Sequence, residues 1–170
     1  AHVGDCIYVT GTLGDSLAGL QLLAGNKSKR STPRPSGPLR KSHQDYLIRR
    51  HLHPTARIGE GLWLNRAGLA TAAIDLSDGL SGDLRHICDA SRVGAEIDAD
   101  RLPVSAVLGR LGNALGVQAG GWVLRGGEDY ELLCSAPPRR VARLQERLAA
   151  LGTPLHDVGR MLPQPGLWLR

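Results

Sequence analysis

The sequence predicts a layered α/β domain, with helices packed on a mixed sheet. Three observations predict it. Segments with strand-like and helix-like patterns alternate along the chain, and neither class is gathered at one end. The 170 residues suffice for one domain with a buried core, and the chain is 42% hydrophobic and 22% charged, ordinary values for a globular protein. No apolar run approaches the roughly 18 residues of a membrane span.

Asp5 to Thr10 reads as a strand, and Gly11-Thr12-Leu13-Gly14-Asp15 turns the chain. Asp15 or Ser16 can cap a helix that would bury Leu17, Leu20 and Leu23. Tyr46 to Leu52 reads as a short helix closed by Pro54, and Arg57 to Ala67 as another. Leu69 to Leu76 is a strand candidate that runs directly into Ser77-Asp78-Gly79. The following helix puts Leu80, Leu84, Ile87 and Cys88 on one face. Ala95 to Ile97 is a short strand, Val104 to Leu115 a helix, and Tyr130 to Cys134 a strand. Pro138 to Leu151 forms a helix with Val141, Leu144, Leu148 and Leu151 on one side, ended by Gly152. Leu155 to Val158 and Gly166 to Leu169 read as closing strands. No internal repeat appears, so residues 1–170 are taken as a single domain.

The formal charge of +5 is compatible with nucleic acid, an anionic small molecule, or no charged partner at all. Much of the excess lies between Asn26 and Lys41, in Lys27, Lys29, Arg30, Arg34, Arg40 and Lys41. Pro33, Pro35, Gly37 and Pro38 make this stretch (26–41) read as an exposed, flexible loop. It contains no aromatic residue for base stacking, which argues against a nucleic-acid-binding module.

Cys6, Cys88 and Cys134 are odd in number and widely spaced, with no CxxC pair. They read as free thiols of a reducing cytoplasm. Neither His86-x-Cys88 nor His51-x-His53 has zinc spacing, and each of the six histidines reads as a satisfied surface or core residue. The N-terminal residues lack the basic and apolar regions of a signal peptide, and the abrupt start at a strand suggests a fragment.

Standard nucleotide motifs are absent: there is no GxxxxGK[ST] and no GxGxxG after a strand, and no residue stands out as a catalytic acid or base. Two glycine-acid turns remain. Ile74-Asp75-Leu76-Ser77-Asp78-Gly79 sets two carboxylates and a hydroxyl at a strand's C-terminal end and a helix's N-terminus, where α/β sheets place ligands. Helix N-terminal amides favour phosphate, carboxylates repel it, and magnesium between them would reconcile the two. The bland alternative is that Ser77 or Asp78 merely caps the helix. Gly126-Gly127-Glu128-Asp129-Tyr130-Glu131-Leu132 permits close backbone approach to a ligand, or is simply a turn with solvated acids.

Taken together, these residues resemble thiamine-monophosphate kinases. Asp75-Leu76-Ser77-Asp78-Gly79-Leu80 and Gly126 to Leu132 resemble paired motifs of that family. Gly4 to Ser16 resembles the opening of its C-terminal domain, and Val158-Gly159-Arg160 a strand near its end. The resemblance implies the C-terminal domain of an aminoimidazole ribonucleotide synthetase-like fold. It implies that ATP, with Mg2+, donates its γ-phosphate to thiamine monophosphate to give thiamine diphosphate. By position, Asp75 and Asp78 would bind magnesium, Ser77 would contact ATP, and Glu128 would contact the thiamine substrate. The family's N-terminal domain, with further metal-binding aspartates and the homodimer contact, has no counterpart in these residues. Neither does the substrate-stacking aromatic residue beyond the last strand, since Trp168 falls within that strand. This chain alone is therefore expected to be inactive. The related synthetases and the hydrogenase-maturation dehydratase of the same superfamily carry other residues at the two turns.

Overall fold

In chain order the elements are β1 (Cys6–Thr10), α1 (Asp15–Gly25), α2 (Lys41–Leu52), α3 (Ile58–Ala67), β2 (Ala72–Asp75), α4 (Leu80–Ser91), β3 (Gly94–Ile97), α5 (Ala106–Leu115), α6 (Gly120–Arg125), β4 (Leu132–Ala136), α7 (Val141–Ala150), β5 (Leu155–Leu162) and β6 (Leu167–Leu169). The structure is a computed structural model and describes residues 1–25, 40–116 and 118–170.

The strands form one six-stranded sheet in the order β2-β4-β1-β5-β3-β6. Its pairs are antiparallel except β3 with β6, so the sheet is mixed, as expected. One apolar layer joins Ile7 and Val9 of β1 to Leu80, Leu84, Ile87 and Cys88 of α4 and to Leu108 and Leu111 of α5. A second holds Tyr8, Leu64, Cys134, Ala136 and Leu144, which packs α3 and α7 against the opposite face. Successive β1 side chains therefore serve two layers, as pleated geometry requires. The α4 face read from the sequence is buried as expected.

Helix α1 corrects the expectation drawn from its leucines. Leu20 is exposed, Leu17 and Leu23 are half-buried, and the buried positions are Asp15, Ser16, Ala18 and Gly19. The reason is close packing against α2: a Cβ at Gly19 would overlap the Leu47 carbonyl oxygen. A small-residue face wins here because it lets two backbones approach, which leucines would prevent.

Other boundaries shift. The strand expected from Leu69 to Leu76 is confined to Ala72–Asp75, and the one expected from Tyr130 begins at Leu132. Helix α2 starts at Lys41 rather than Tyr46, with Arg40 at its N-cap, so Lys41 opens a helix instead of closing the basic loop. Residues 26–39 of that stretch lie outside the described residues. Helix α6 was not anticipated. The closing helix opens with a 3-10 turn at Pro138–Arg140, and it buries Leu144 and Leu148 while Leu151 is exposed. Trp168 lies in β6, as expected. Cys88 and Cys134 are buried and Cys6 is half-buried, all three as free thiols. Burial pushes the Cys134 thiol up to about 12, which makes it inert as a nucleophile at neutral pH.

Candidate functional site

The two glycine-acid turns are bonded to each other. Strands β2 and β4 pair antiparallel, with Asp75 opposite Leu132, and the ladder continues beyond both strand ends. The Leu76 N–H donates to the Glu131 carbonyl at 2.8 Å. The Tyr130 N–H donates to the Leu76 carbonyl at 2.9 Å, and the Glu128 N–H to the Ser77 carbonyl at 2.9 Å. Gly127 sits so close that a Cβ there would overlap the Ser77 carbonyl oxygen. Glu128 and Tyr130 both adopt left-handed backbone, at φ 63° and 52°. Non-glycine residues hold that conformation only where surroundings over-determine it, and such residues cluster at functional sites. The same conformation explains why β4 starts after Tyr130.

At the first turn the decisive residue is Asp83, which the sequence reading passed over. Its Oδ2 accepts the N–H groups of Ser77 (3.1 Å), Asp78 (3.0 Å) and Gly79 (3.1 Å). Neither Ser77 nor Asp78 caps α4, so the capping alternative is overturned. The three amides that Asp83 occupies belong to the turn before α4 and to its N-cap residue, so a carboxylate from the helix's own first turn holds that turn in shape. Burial pushes the Asp83 carboxyl above its ordinary range, against the pull of those three amides.

Asp75 and Asp78 are exposed and Ser77 is half-buried. Asp75, Asp78 and Asp83 form no ion pair with a basic side chain among the described residues, although the chain carries a +5 charge. Single ligand atoms of Asp78, Asp83 and His86 lie within 4.8 Å of one another. Asp75 stands at the end of β2, outside that group. The exposed carboxylates of Asp75 and Asp78 suit a hard cation that retains waters, so those two residues fit magnesium, whereas Asp83 is buried with its Oδ2 engaged by three amides.

The three acids of the second turn have three different surroundings. Asp129 is buried and accepts the Gly14 N–H at 2.6 Å and the Ser16 N–H at 3.2 Å, which fastens the start of α1. Burial pushes its carboxyl up to about 6, and the two amides and Arg50 oppose this. Glu131 is buried and receives Arg57 at 2.7 and 2.9 Å, Arg50 at 3.3 Å and the Thr10 hydroxyl at 2.7 Å. Only Glu128 keeps its side chain largely in solvent, at 58% exposure. His51 Nδ1 lies 3.6 Å from Glu128 Oε2 and 3.0 Å from Ser16 Oγ.

Asp15 is likewise consumed internally, accepting the hydroxyls of Thr12 (2.9 Å), Tyr46 (3.0 Å) and Ser105 (2.6 Å). Not every histidine is satisfied, contrary to expectation: His156 Nε2 is buried without a hydrogen-bond partner among the described residues, and burial lowers the basicity of its ring. The missed residues left unequal signals in the sequence. Asp83 could have been found from its place one turn into a helix whose N-cap, Gly79, has no side chain. His51, Arg50 and Arg57 had no local signal, because their partners lie far along the chain.

The mixed sheet, with the ends of β2 and β4 meeting at two acid-bearing turns before α4, defines a layered α/β domain of a known class. The family model described as "AIR synthase related protein, C-terminal domain" matches residues 2–169, and the chain belongs to that family. Among curated proteins it is 45% identical over 161 residues to thiamine-monophosphate kinase of Escherichia coli O157:H7, covering 95% of this chain and 46% of that protein. It is 39% identical to the Aquifex aeolicus thiamine-monophosphate kinase over 140 residues, covering 82% of this chain and 42% of that protein. The crystal structure of the Stenotrophomonas maltophilia K279a thiamine-monophosphate kinase superposes with a TM-score of 0.85 at 38% identity, covering 99% of this chain and 51% of that one. A structure described as AaThiL complexed with AMPPCP and TMP superposes with a TM-score of 0.80 at 34% identity, covering 99% of this chain and 48% of that one. The chain thus spans about half the length of the curated relatives it matches. The hydrogenase maturation protein HypE of E. coli shares the fold, with a TM-score of 0.66 at 19% identity.

Proposed function

We propose that this chain is the C-terminal half of a cytoplasmic thiamine-monophosphate kinase, which uses ATP and Mg2+ to convert thiamine monophosphate to thiamine diphosphate. The observation that carries the proposal is the pair of bonded turns. They leave Asp75, Asp78 and Glu128 facing solvent while every other acid of the two motifs is engaged within the fold. The similarity to thiamine-monophosphate kinases supports the substrate pair, and so does a related structure described with AMPPCP and TMP.

Asp75 and Asp78 would hold magnesium, which when bound neutralises phosphate charge and helps align the two phosphoryl groups. Ser77, held in the turn through its N–H to Asp83, would contact ATP. Glu128 would contact the thiamine moiety, whose thiazolium is cationic. No side chain of this half is needed as an acid or base, because phosphoryl transfer rests chiefly on positioning and charge neutralisation. An N-terminal domain would supply further metal ligands and the homodimer contact.

The test is to incubate the full-length protein with ATP, magnesium and thiamine monophosphate and to measure thiamine diphosphate. Turnover on the order of 1 s⁻¹ or more is expected of the whole protein, and none of the 170-residue chain alone. Absence of thiamine diphosphate with the full-length protein would overturn the proposal.

A further inference from the structure

We propose that His51 is a positioning residue for Glu128, holding its carboxylate where the thiamine substrate meets it. The inference rests on the reading of Glu128 given above. Glu128 has its backbone fixed, by left-handed φ and by its N–H to Ser77, but its side chain stands 58% exposed with several rotatable bonds. Left alone, such a carboxylate samples many rotamers, and each must be frozen when substrate binds. Among the described residues, His51 is the ionisable side chain that approaches it. The ring lies in the last turn of α2 with only 15% exposure, so it is itself held. Its Nδ1 faces Ser16 Oγ at 3.0 Å and Glu128 Oε2 at 3.6 Å.

Ser16 is in turn fixed from below. It is buried in the first turn of α1, and its N–H donates to Asp129 Oδ1 at 3.2 Å. Adjacent residues Glu128 and Asp129 therefore close a ring: Asp129 fixes Ser16, Ser16 orients the imidazole, and the imidazole faces Glu128. Close packing of α1 on α2 at Gly19 and Leu47 holds the two helices that carry Ser16 and His51. A histidine filling space would need none of these polar neighbours.

The test uses the full-length protein and separates Nδ1 from the rest of the ring. His51→Asn keeps a polar atom near the place of Nδ1, and His51→Leu removes it. His51→Leu should raise KM for thiamine monophosphate about tenfold with kcat within about twofold, and His51→Asn should stay within about threefold of the parent. In a Glu128→Gln background, His51→Leu should add nothing, because its effect passes through that carboxylate. If Glu128→Gln raises KM while His51→Leu does not, or if the two effects multiply, the positioning role is overturned alone. If Glu128→Gln leaves KM unchanged, the reading of Glu128 falls and this inference with it. Should His51→Leu not fold, Ser16→Ala carries the test: a KM rise of about threefold supports the role, and no change overturns it.

Discussion

Arg57 and Glu131 stand 74 residues apart in the chain and meet in a two-pronged ion pair, Nε to Oε2 at 2.7 Å and Nη2 to Oε1 at 2.9 Å. Glu131 is buried at the approach to β4, and Arg57 is the N-cap residue of α3. The pair therefore fastens α3 to the strand whose preceding turn carries Glu128. The hydrogen bonds to Glu131 hold the Arg57 guanidinium even more firmly protonated than usual.

Breaking that pair should be costly. Arg57→Met leaves a buried carboxylate with Arg50 and Thr10 as its remaining side-chain partners among the described residues, and such losses typically cost about 3 kcal/mol. Urea denaturation of the parent and variant measures it. A change under about 1 kcal/mol would mean that Arg50 compensates fully.

The three acids of the first turn should separate cleanly. Asp83→Ala strands three amides and should cost about 2 kcal/mol or more of stability. Asp75→Asn and Asp78→Asn remove exposed carboxylates that cap nothing, so melting temperature should hold. In the full-length protein their magnesium-dependent rate should fall by at least about tenfold. Near-normal rates at ordinary magnesium concentrations would withdraw the metal assignment.

Asp129 makes stability depend on pH in an unusual direction. Its folded-state carboxyl is raised to about 6 by burial, above the ordinary value of 3.8 in the unfolded chain. Between those values the folded state holds the proton and the unfolded state does not. Stability from this group should therefore increase as pH falls from about 6 towards about 4, by at most about 1.4 kcal/mol per pH unit. The measurable quantity is the stability difference between the parent and Asp129→Asn across that range, which cancels other titrating groups. A difference independent of pH would show that the two amides hold Asp129 ionised throughout.

Gly127→Ala should damage both stability and activity. The added methyl would overlap the Ser77 carbonyl, so the two turns must part. A loss of about 2 kcal/mol or more is expected, accompanied in the full-length protein by weaker binding of both substrates. A variant with unchanged melting temperature would show that the turns can separate freely.

The sequence made legible what local pattern controls. Helix α4 showed its apolar face because Leu80, Leu84, Ile87 and Cys88 recur at helical spacing, Asp78 and Glu128 stood out beside glycines, and Asp75 stood out at the end of a strand pattern that leads into the first turn. Helix α1 misled because its tertiary contact selects small residues, and periodicity counts only large ones. Helix α6 was missed because its six residues begin with two glycines, which have poor helix propensity. The start of β4 was misplaced because alternating side chains say nothing about the left-handed residues before it. The acids that are internal, Asp83, Asp129 and Glu131, are set apart from Glu128 by what folds over them, which local pattern does not show.

The ladder between the two turns also offers a way to watch the site assemble. Strand β2 is the sheet's edge and only four residues long, yet the amides of Leu76, Glu128 and Tyr130 are bonded across it. Edge pairs of this kind open by local fluctuation well below the cost of global unfolding. Deuterium uptake at those three amides would therefore rise and fall together, as one cooperative unit. Their common exchange rate would report how often the two turns part company, with no ligand and no turnover required.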